Sequence, residues 1–439
     1  MPRAGSILTA ESGRRYKIIG PLCAKTWDAG RGCMVDAQAI GGQGEVFAAT
    51  DLKSGHRCVL KIFKPEFTNA QTLERVRFLK NSNLQARCPV ICAPTDVIAA
   101  DGLVGHISPF AEGIGVTDFI EQIDSGSFGL LDALQVLLAL VHAIRIAHEA
   151  GIAHGDLHPD NIRIHRMGKV FIVVVIDWDN YASPRVPAPP MAGRKEYMAP
   201  ELLKALREGR APIPNIHTDL FSIGVLVHLL LLLRHPVAGH DSTEEEFLRA
   251  YCSGIWMQDP ARGKPSDANV GGYAVRILNA DLMRLFRCLF SLDQRARPSL
   301  AVVEETLLKA LDANHPCPTC GYPCLIDISK TACPNPDCRQ PFPLHQLLVP
   351  ATGRTIGIQD AATCIGRSEL TNSPMVSAQH AVFRRIGPET WIEPRGKNGT
   401  YLLNGSGWEK MEDGVLTLLE PGDRLRLADV EVQLEAAPA

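Results

Sequence analysis

The spacing of hydrophobic and polar positions along the chain changes twice, and each change predicts a different kind of structure. Up to about Leu311, short β-rich runs such as residues 56–63 (HRCVLKIF) give way to a mainly helical stretch. From Leu131 the apolar residues follow helical spacing until Gly151, a residue type that commonly ends helices. The later run KVFIVVVIDWD indicates a strand that leads into an acidic loop.

Two shorter segments of different composition follow the helical stretch. From His315 to about Pro343, cysteine and proline dominate and few apolar residues remain to build a core. From Leu347 onward, short strand-like runs are separated by Gly and Asn turns, a pattern typical of an all-β sandwich. The predicted domains therefore cover residues 1–312, 313–345 and 346–439.

Composition supports a soluble multidomain protein and argues against a nucleic-acid-binding or membrane protein. The chain has 439 residues, too many for one ordinary core, with 46 % hydrophobic and 21 % charged residues. Its net charge of −3 gives no electrostatic reason to bind nucleic acid or anionic membranes. The richest apolar run, IGVLVHLLLLL, is shorter than the roughly 20 residues of a membrane span and contains His228, so we expect a buried helix there.

A glycine-rich stretch and a lysine on the strand after it predict a phosphate-binding site. Gly41, Gly42 and Gly44 precede Val46, and backbone N–H groups of glycines approach phosphates without a Cβ in the way. Lys61 lies on the following predicted strand, where its ammonium group reaches the α- and β-phosphates of a nucleotide.

The acidic partner of Lys61 is expected on the helix that follows that strand. Glu74 is the first candidate for this partner and Glu66 is the alternative. Both stay open because the spacing from Lys61 to Glu74 is slightly short.

The stretch HGDLHPDNI (residues 154–162) supplies the other groups that phosphoryl transfer needs. Asp156 would accept the proton of a substrate hydroxyl and orient it. Asn161 and Asp177, which follows an apolar strand, would hold Mg²⁺ from two sides, since Mg²⁺ prefers hard oxygen ligands. His158 stands where the catalytic loop of protein kinases, which this stretch resembles, carries a lysine near the transferred phosphate. A neutral imidazole at that place donates one hydrogen bond but carries no full charge.

These motifs together resemble those of a eukaryotic-like (Hanks-type) protein kinase of the kind found in bacteria. The resemblance extends from about residue 16 to residue 311. It implies a two-lobed α+β fold, with the N-lobe reaching to about residue 108 and the C-lobe starting near residue 113. ATP and Mg²⁺ would bind in the cleft between the lobes.

Three motifs further along favour a protein as the acceptor, although small-molecule kinases carry a similar HGDLHP loop. EYMAPE ends at Glu201, TDLFSIG contains Asp219 and DQRARPS contains Arg297. The resemblance implies that Asp219 braces the catalytic loop and that Arg297 forms a buried pair with Glu201. These features belong to the peptide-binding lobe, which small-molecule kinases organise differently.

Three positions depart from the usual kinase pattern. Gly155 stands where arginine is usual, His158 where lysine is usual, and Asp179 where the metal-binding motif normally has glycine. Because Gly155 cannot pair with a phosphate and no threonine lies between Asp177 and Glu201, we expect activity without phosphorylation of that segment. A working but slower kinase is the favoured interpretation, and a pseudokinase scaffold that binds nucleotide and phosphopeptides without transfer is the alternative.

The cysteines are distributed unevenly, which predicts a zinc site. Cys317 and Cys320 form one close pair and Cys333 and Cys338 a second, and two such pairs can place four thiolates around one Zn²⁺. Cys324 is a nearby fifth thiol that is able to replace one ligand. Four thiolates leave no open coordination position, so the site is expected to be structural, within a zinc ribbon. Clustered thiolates with scattered free thiols favour a reducing cytoplasm.

The last segment resembles a forkhead-associated (FHA) domain over nearly its whole length. The matching motifs are IGR, SAQHAVF and KNGTYLLNG. The resemblance implies that loops at one end of the sandwich bind phosphothreonine, with His380 and Gly366 supporting them. The residues expected to contact phosphate or peptide are Arg367, Ser377, Lys397 and Asn398.

The sequence as a whole therefore predicts a cytoplasmic Ser/Thr protein kinase that uses ATP and Mg²⁺ and carries a structural Zn²⁺ and a phosphothreonine reader. Expected partners are protein substrates and phosphothreonine-containing proteins, including its own phosphorylated form. The architecture resembles kinases of bacterial signalling triads, in which a phosphatase and a von Willebrand type A protein accompany the kinase. Neither nucleic acid nor membrane is expected as a partner.

Overall fold

The computed structural model describes two compact units. The described residues are 3–28, 33–38, 42–100, 102–189, 193–240, 243–262, 271–327, 330–342, 344–358, 362–370, 373–405 and 407–436. The first unit comprises Met1–Tyr273 and Arg284–Leu311, and the second comprises Ala274–Met283 and Asp312–Ala439.

Strands dominate the beginning and the end of the chain, and most helices lie between them. The strands are β1 (Ile7–Thr9), β2 (Arg15–Pro21), β3 (Cys23–Asp28), β4 (Cys33–Gln38), β5 (Gly44–Asp51), β6 (Arg57–Phe63), β7 (Asp96–Ala100), β8 (Leu103–Pro109), β9 (Ile114–Gly115), β10 (Ile162–Met167), β11 (Val170–Val175), β12 (His345–Val349), β13 (Arg354–Ile358), β14 (Ala362–Ile365), β15 (Ala381–Ile386), β16 (Glu389–Pro394), β17 (Thr400–Asn404), β18 (Gly407–Lys410), β19 (Thr417–Leu419), β20 (Arg424–Leu427) and β21 (Val430–Ala436). The helices are α1 (Ala70–Asn81), α2 (Leu84–Arg87), α3 (Val116–Asp124), α4 (Leu130–Glu149), α5 (Pro200–Arg207), α6 (Ile216–Leu232), α7 (Glu244–Tyr251), α8 (Ala280–Leu289), α9 (Leu300–Asp312) and α10 (Arg367–Leu370).

An antiparallel sheet forms the N-terminal lobe of the first unit, with strand order β1-β2-β5-β6-β8-β7. Alternate residues of its strands point to one side and build a core that includes Ile18, Phe47 and Leu60. On β6, Lys61 stands opposite Val46 of β5 and His106 of β8. Opposite residues on neighbouring antiparallel strands face the same side of a sheet, so Lys61 and His106 project together.

The stretch before the glycine loop, to which the sequence pattern assigns no element, forms a hairpin. Strands β3 and β4 pair antiparallel, from Cys23 opposite Gln38 to Asp28 opposite Cys33. This hairpin lies in the chain between β2 and β5, which pair with each other. The glycine-rich stretch therefore directly follows a two-stranded hairpin in the chain. Gly41 lies outside the described residues.

Two long apolar helices form the core of the helical lobe. Helix α4 begins one residue before the predicted Leu131 and ends two residues before Gly151, so the predicted helix is confirmed. It has the length and apolarity of a membrane span, but 56 % of its most apolar window is buried inside the fold. Helix α6 buries nearly all of its side chains, which confirms the predicted buried helix around His228.

Because His228 is buried, the free energy of unfolding of the helical lobe is expected to fall at acidic pH. Its side chain is fully buried, and its Nδ1 lies 2.9 Å from the carbonyl oxygen of Arg234. Burial lowers the pKa of His228 to about 3, from an ordinary value of 6.5. Between these two values the unfolded chain binds a proton that the folded chain excludes, so stability falls as the pH drops below about 6.5.

We expect His228→Asn to remove this part of the pH dependence, because the asparagine amide can donate to the Arg234 carbonyl but does not titrate. Between pH 6.5 and pH 5 the wild type should lose about 2 kcal/mol of unfolding free energy that the variant keeps. Urea denaturation at both pH values, followed by a signal from the helical lobe, measures the difference. Parallel pH profiles for the two proteins would contradict the argument.

The site loops of the first unit lie beside a small three-stranded sheet, ordered β11-β10-β9. Strands β10 and β11 form a regular hairpin, with Ile162 opposite Val175. One loop connects α4 to β10, and a second leaves the end of β11. Because the paired ends of a hairpin lie side by side, Asn161 and Ile176 meet at the same edge, where the Ile176 N–H donates to the Asn161 carbonyl at 2.9 Å.

The second unit contains a β-sandwich and the cysteine-rich segment. The two sheets of the sandwich have strand orders β13-β12-β21-β20-β17-β18 and β14-β15-β16-β19. Their inner faces share a core that includes Leu347, Phe383 and Leu434. The two sheets thus confirm the all-β prediction that the short strand-like runs gave for this part of the chain.

The cysteine-rich segment packs against residues 274–283 within the second unit. The Leu325 N–H donates to the Ile277 carbonyl at 2.8 Å, and Lys330 Nζ donates to the Leu278 carbonyl at 2.7 Å. The Tyr322 hydroxyl accepts from the Ala274 N–H at 2.9 Å. These bonds explain why residues 274–283 group with the C-terminal part of the chain.

Candidate functional site

A buried aspartate holds the loop that carries Asp156. Asp219, near the start of α6, accepts from the N–H groups of His154 at 2.7 Å and Gly155 at 3.0 Å. Its carboxylate also lies 3.0 Å from His148 Nε2. The predicted brace is confirmed. Gly155 has φ 79°, a left-handed conformation that favours glycine, and a Cβ there would overlap the Asn180 carbonyl.

His154 connects this loop to the one that follows β11. Its Nε2 lies 3.0 Å from the Ile176 carbonyl, and its ring centroid lies 4.6 Å from that of Trp178. Trp178 is buried and donates to the Val175 carbonyl at 3.1 Å. The two loops are thereby fixed to each other, which fixes Asp156 relative to Asp177.

Three of the predicted transfer residues line one cavity of about 250 Å³: Lys61, Asp156 and Asp177. Asn161 is not among the residues that line this cavity, but its Nδ2 donates to the carbonyl of Asp156, which does line it, at 2.9 Å. Asp177 takes a left-handed backbone conformation, φ 58°, which is uncommon for a residue other than glycine and typical of functional sites. The cavity is also lined by Gly42, Gln43, Asp179, Asn180, Gly193 and Arg194.

The glycine loop approaches this cavity closely. Gly42 lines it, and a Cβ on Gly44 would lie only 2.6 Å from the Ile62 carbonyl oxygen. Gly44 is therefore required for the tight packing of β5 on β6, in addition to any role toward phosphate. Val46 lies on β5 opposite Lys61.

The structure does not form the expected ion pair between Lys61 and Glu74. Glu74 is exposed on α1, and the alternative Glu66 is exposed as well. Lys61 Nζ instead lies 2.8 Å from Asp177 Oδ1 and also forms an ion pair with Asp179 Oδ2. Both acidic partners of the buried Lys61 therefore lie on the loop after β11, and neither lies on α1.

Asp179 is the more enclosed of the two partners. Its side chain is 6 % exposed, against 41 % for that of Asp177. Its Oδ1 lies 3.1 Å from His106 Nε2. Burial opposes ionisation of Asp179, but the nearby Lys61 and His106 outweigh it and hold the pKa of this carboxyl well below its usual range.

Arg75 occupies the face of α1 that turns toward these loops. It is buried and donates to the carbonyl oxygens of Asp179 at 3.0 Å and Tyr181 at 2.7 Å. A further bond reaches the Pro187 carbonyl. The guanidinium carbon lies 4.3 Å from the centroid of the Tyr181 ring, a cation–π geometry. Helix α1 therefore binds the backbone of the segment after Asp177.

The segment from Asp177 to Glu201 has its first hydroxyl groups engaged in the fold. The Tyr181 hydroxyl donates to the Arg75 carbonyl at 2.9 Å, and burial raises the pKa of Tyr181 to about 12. Ala182 pairs with Ala153 through two backbone hydrogen bonds of 2.9 and 3.0 Å. Ser183 Oγ accepts from the Val186 N–H at 3.1 Å. These contacts fix residues 181–186 of the segment to α1 and to the loop that carries Asp156.

The buried pair at the end of this segment forms as the resemblance implied. Arg297 donates to both carboxylate oxygens of Glu201, at 2.7 and 2.9 Å, and to the His217 carbonyl at 2.9 Å. Its side chain is fully buried. Removing one partner of such a pair typically costs about 3–5 kcal/mol, so this contact anchors the segment to the helical lobe.

Asp156 is held by neighbours that the sequence did not identify. Asn180 Nδ2 donates to Asp156 Oδ2 at 2.9 Å, and Asn180 Oδ1 accepts from Gln43 of the glycine loop at 2.7 Å. His158 Nε2 lies 3.8 Å from the other Asp156 oxygen. A polar chain thus links the glycine loop to the carboxylate across the cleft.

His158 is neutral at ordinary pH in this site. Burial lowers its pKa, and Asp156 opposes that effect only in part. The Asp160 N–H donates to its Nδ1 at 3.3 Å, which leaves the Nε2 proton directed toward Asp156. Arg194 lines the same cavity and forms an ion pair with Asp160, so a cation does lie close to the loop where His158 replaces lysine.

The four predicted zinc ligands converge. The Sγ atoms of Cys317, Cys320, Cys333 and Cys338 all lie within 4.8 Å of one another, and those of Cys320 and Cys333 are 3.6 Å apart. Thiolates bound tetrahedrally at about 2.3 Å from Zn²⁺ would lie about 3.8 Å from each other. The donor set therefore fits a tetrahedral metal ion.

Each cysteine pair lies on a similar turn. Gly321 and Arg339 both have positive φ, 71° and 49°, directly after the second cysteine of their pair. The N–H of Cys317 donates to the Tyr322 carbonyl and that of Cys333 to the Gln340 carbonyl, both at 2.8 Å.

Cys324 does not join the four clustered sulfurs. It is fully buried, and burial raises the pKa of its thiol to about 11. The spacing left open whether Cys324 replaces one of the four ligands, and the sulfur positions favour the pairs Cys317–Cys320 and Cys333–Cys338.

The loops at one end of the sandwich are tied together through the predicted residues. Arg367 donates from Nε to the Val376 carbonyl at 3.0 Å, and Ser377 Oγ accepts from the Lys397 N–H at 3.2 Å. Asn398 Nδ2 donates to the Met375 carbonyl at 2.6 Å. Arg367, Lys397 and Asn398 are exposed, so their side chains are accessible to a ligand.

His380 supports these loops from below, as expected. It is fully buried, its Nδ1 accepts from the Ser377 N–H at 3.1 Å, and its Nε2 lies 3.0 Å from the Gly399 carbonyl. A Cβ on Gly396 would overlap the His380 ring, and a Cβ on Gly366 would overlap the Ala378 carbonyl. The two glycines are thus needed for this close packing.

Comparison with known families agrees with this geometry. Residues 39–308, more than half of the chain, match the protein kinase domain family. Residues 354–428 match the FHA domain family.

Several bacterial proteins are similar to the kinase-like part. The serine/threonine-protein kinase PknD of Protochlamydia amoebophila is 27 % identical over 259 residues, which is 51 % of this chain and 25 % of that protein. The serine/threonine-protein kinase PknA of Mycobacterium tuberculosis is 28 % identical over 212 residues, 46 % of each chain. The probable serine/threonine-protein kinase PknB of Bifidobacterium longum is 26 % identical over 250 residues, 53 % of this chain and 32 % of that protein. The chain thus spans less than half the length of these relatives.

Proposed function

The chain belongs to the protein kinase family and carries an FHA domain, and from this premise we propose that it transfers the γ-phosphoryl group of ATP to serine or threonine hydroxyls of proteins. The observation that supports the proposal best is the cavity shared by Lys61, Asp156 and Asp177, with Asn161 bonded to the Asp156 carbonyl. A scaffold that only binds nucleotide would use Lys61, Asp177 and Asn161, but it would have no use for a carboxylate such as Asp156 beside them.

Each group has a distinct role in the proposal. Lys61 and the glycine loop at Gly42 bind the phosphates, and Asp177 with Asn161 holds Mg²⁺, which neutralises charge on the phosphates when bound. Asp156 orients the acceptor hydroxyl and takes its proton. His158 lies beside Asp156, toward which its single proton is directed.

Mass spectrometry after incubation with Mg²⁺-ATP and myelin basic protein tests the activity. We expect phosphate on serine or threonine residues of the added protein, with ADP released in equal amount. Free amino acids, sugars and choline serve as the competing acceptors. Phosphate on one of these small molecules, or on none of the acceptors, would contradict the proposal.

The proposal also includes a structural Zn²⁺ bound by Cys317, Cys320, Cys333 and Cys338. The mutual distances of the four sulfurs support it, and a fully thiolate-bound Zn²⁺ has no open position for catalysis. A reducing, cytoplasmic location belongs to the same proposal, since zinc thiolates and free buried thiols such as Cys58 persist in such a compartment.

We further propose that the FHA domain binds phosphothreonine. Exposed Arg367 and Lys397 supply positive charge, and Ser377 and Asn398 supply hydrogen bonds at the same loop end. The bound partner is a phosphorylated protein, including a phosphorylated copy of this chain. A phosphatase and a von Willebrand type A protein would complete the signalling triad that the architecture resembles.

Binding of a phosphothreonine peptide library tests the reader. We expect Arg367→Ala to weaken binding by at least about tenfold, because a charge-assisted hydrogen bond contributes about 1.5–3 kcal/mol. Arg395→Ala is the matched control, since Arg395 is exposed but pairs with Glu393. Fluorescence anisotropy gives both affinities. Equal binding of phosphorylated and unphosphorylated peptides would exclude phosphothreonine reading.

A further inference from the structure

A buried ammonium group needs an acidic partner, and Lys61 has two in this structure. An unpaired charge in the interior is costly, so the partner also fixes the position of the ammonium. The side chain of Asp177 is partly exposed and, in the proposed function, binds Mg²⁺. Asp179 remains as the enclosed partner, with one oxygen on Lys61 and the other on His106.

Helix α1, which was expected to supply the acidic partner of Lys61, supplies a buried arginine to the site instead. Glu74 is exposed, while its neighbour Arg75 is buried and binds the backbone carbonyls of Asp179 and Tyr181. Arg75 thus holds the backbone on which Asp179 stands, and His106 holds the far side of its carboxylate. The backbone and the carboxylate of Asp179 are thereby both held in place.

We infer that Asp179 is the positioning residue for Lys61 and takes the place of the helix glutamate expected there. The inference rests on the proposed function. The lysine that binds phosphate and the aspartate that binds metal then depend on one short loop, since Asp177 and Asp179 are two residues apart. Helix α1 contributes through Arg75 and the backbone, without a carboxylate of its own at the lysine.

Two variants test the inference in the full chain. Asp179→Asn keeps the shape and removes the charge, and Asp179→Gly introduces the residue that the motif normally has. We expect each to lower kcat/KM for ATP by roughly 10²-fold, because a small misplacement of a phosphate-binding group has an effect of this size. The loss should appear largely as a raised KM for ATP, with the KM for myelin basic protein within about twofold of wild type.

Glu74→Gln is the matched comparison, because it removes the acid that would otherwise position Lys61. We expect its KM and kcat to remain within about twofold of wild type. A purely structural role of Asp179 would reduce the melting temperature and the active fraction, with KM for ATP unchanged.

Three outcomes would overturn the inference. The first is wild-type KM for ATP in both Asp179 variants, and the second is a 10²-fold loss in Glu74→Gln. The third is failure of both Asp179 variants to fold while Glu74→Gln folds, which would make the aspartate a structural residue. A wild-type protein without transferase activity would instead refute the proposed function, and ADP release by the wild type separates the two failures.

Discussion

Asp156→Asn is expected to lower kcat for phosphoryl transfer by roughly 10²–10⁴-fold, the range of effects seen when a positioned acid–base group is lost. Asparagine retains the shape but cannot accept a proton from the acceptor hydroxyl. Asn180 already donates to one Asp156 oxygen, and His158 approaches the other, so the carboxylate is held where a hydroxyl would be oriented. ADP release and phosphate incorporation measure the loss.

The affinity for ATP separates a chemical effect from general damage. We expect the dissociation constant of a nonhydrolysable ATP analogue to change by less than about threefold in Asp156→Asn, because Lys61 and Asp177 remain. Asp124→Asn is a suitable control, since Asp124 is an exposed aspartate at the end of α3. Equal, measurable kcat in wild type and Asp156→Asn would contradict the role of Asp156, and the absence of transfer in both proteins would favour the scaffold alternative.

Removal of Zn²⁺ is expected to unfold the cysteine-rich segment. Its small core is built largely from the cysteines themselves, with Ile326 and Phe342 beside them. Binding of Zn²⁺ to small domains of this kind contributes about 10–16 kcal/mol, which exceeds what so few apolar side chains can supply. Chelation with 1,10-phenanthroline should therefore expose residues 312–342 to limited proteolysis.

Single variants sharpen this expectation. Cys333→Ser should reduce bound Zn²⁺ from one per chain toward zero, measured by inductively coupled plasma mass spectrometry after gel filtration. Cys324→Ala should retain a full equivalent, because the Cys324 sulfur lies outside the cluster of four. Loss of Zn²⁺ from Cys324→Ala but not from Cys333→Ser would show that the ligand set has been assigned incorrectly.

Short-range motifs in the sequence were sufficient to predict most of the residues that meet in the cleft. Asp156 and Asn161 lie on one loop, and Asp177 follows the strand that pairs with the end of that loop. Their relative positions are therefore fixed by local spacing and a hairpin. The brace by Asp219 and the pair of Glu201 with Arg297 were likewise indicated by their own motifs.

The partner of Lys61 escaped prediction because it depends on the rotation of a helix. Successive residues of an α-helix point about 100° apart, so a shift of one position exchanges exposed Glu74 for buried Arg75. Sequence spacing alone does not fix that rotation. The acidic Asp179 two residues after Asp177 is the available signal, but a carboxylate at that position equally suits a residue near the metal.

The cysteine-rich segment also combines a feature that the sequence predicts with one that it does not. Spacing within each cysteine pair was enough to predict the four sulfurs, because a short turn forces each pair together. The exclusion of Cys324 depends on the position of its sulfur outside the cluster of four, which spacing does not reveal.

The enclosed Tyr181 has a consequence for how such an enzyme would respond to its signals. A kinase that must first phosphorylate its own activation segment amplifies small inputs, since each activated molecule activates others. In this chain Tyr181 donates from inside the fold to the Arg75 carbonyl, and Ala182 is paired to the catalytic loop, so we expect this part of the segment to hold its position without phosphorylation. The output would then rise in proportion to the amount of target that the FHA domain gathers, without a threshold or memory of earlier stimulation.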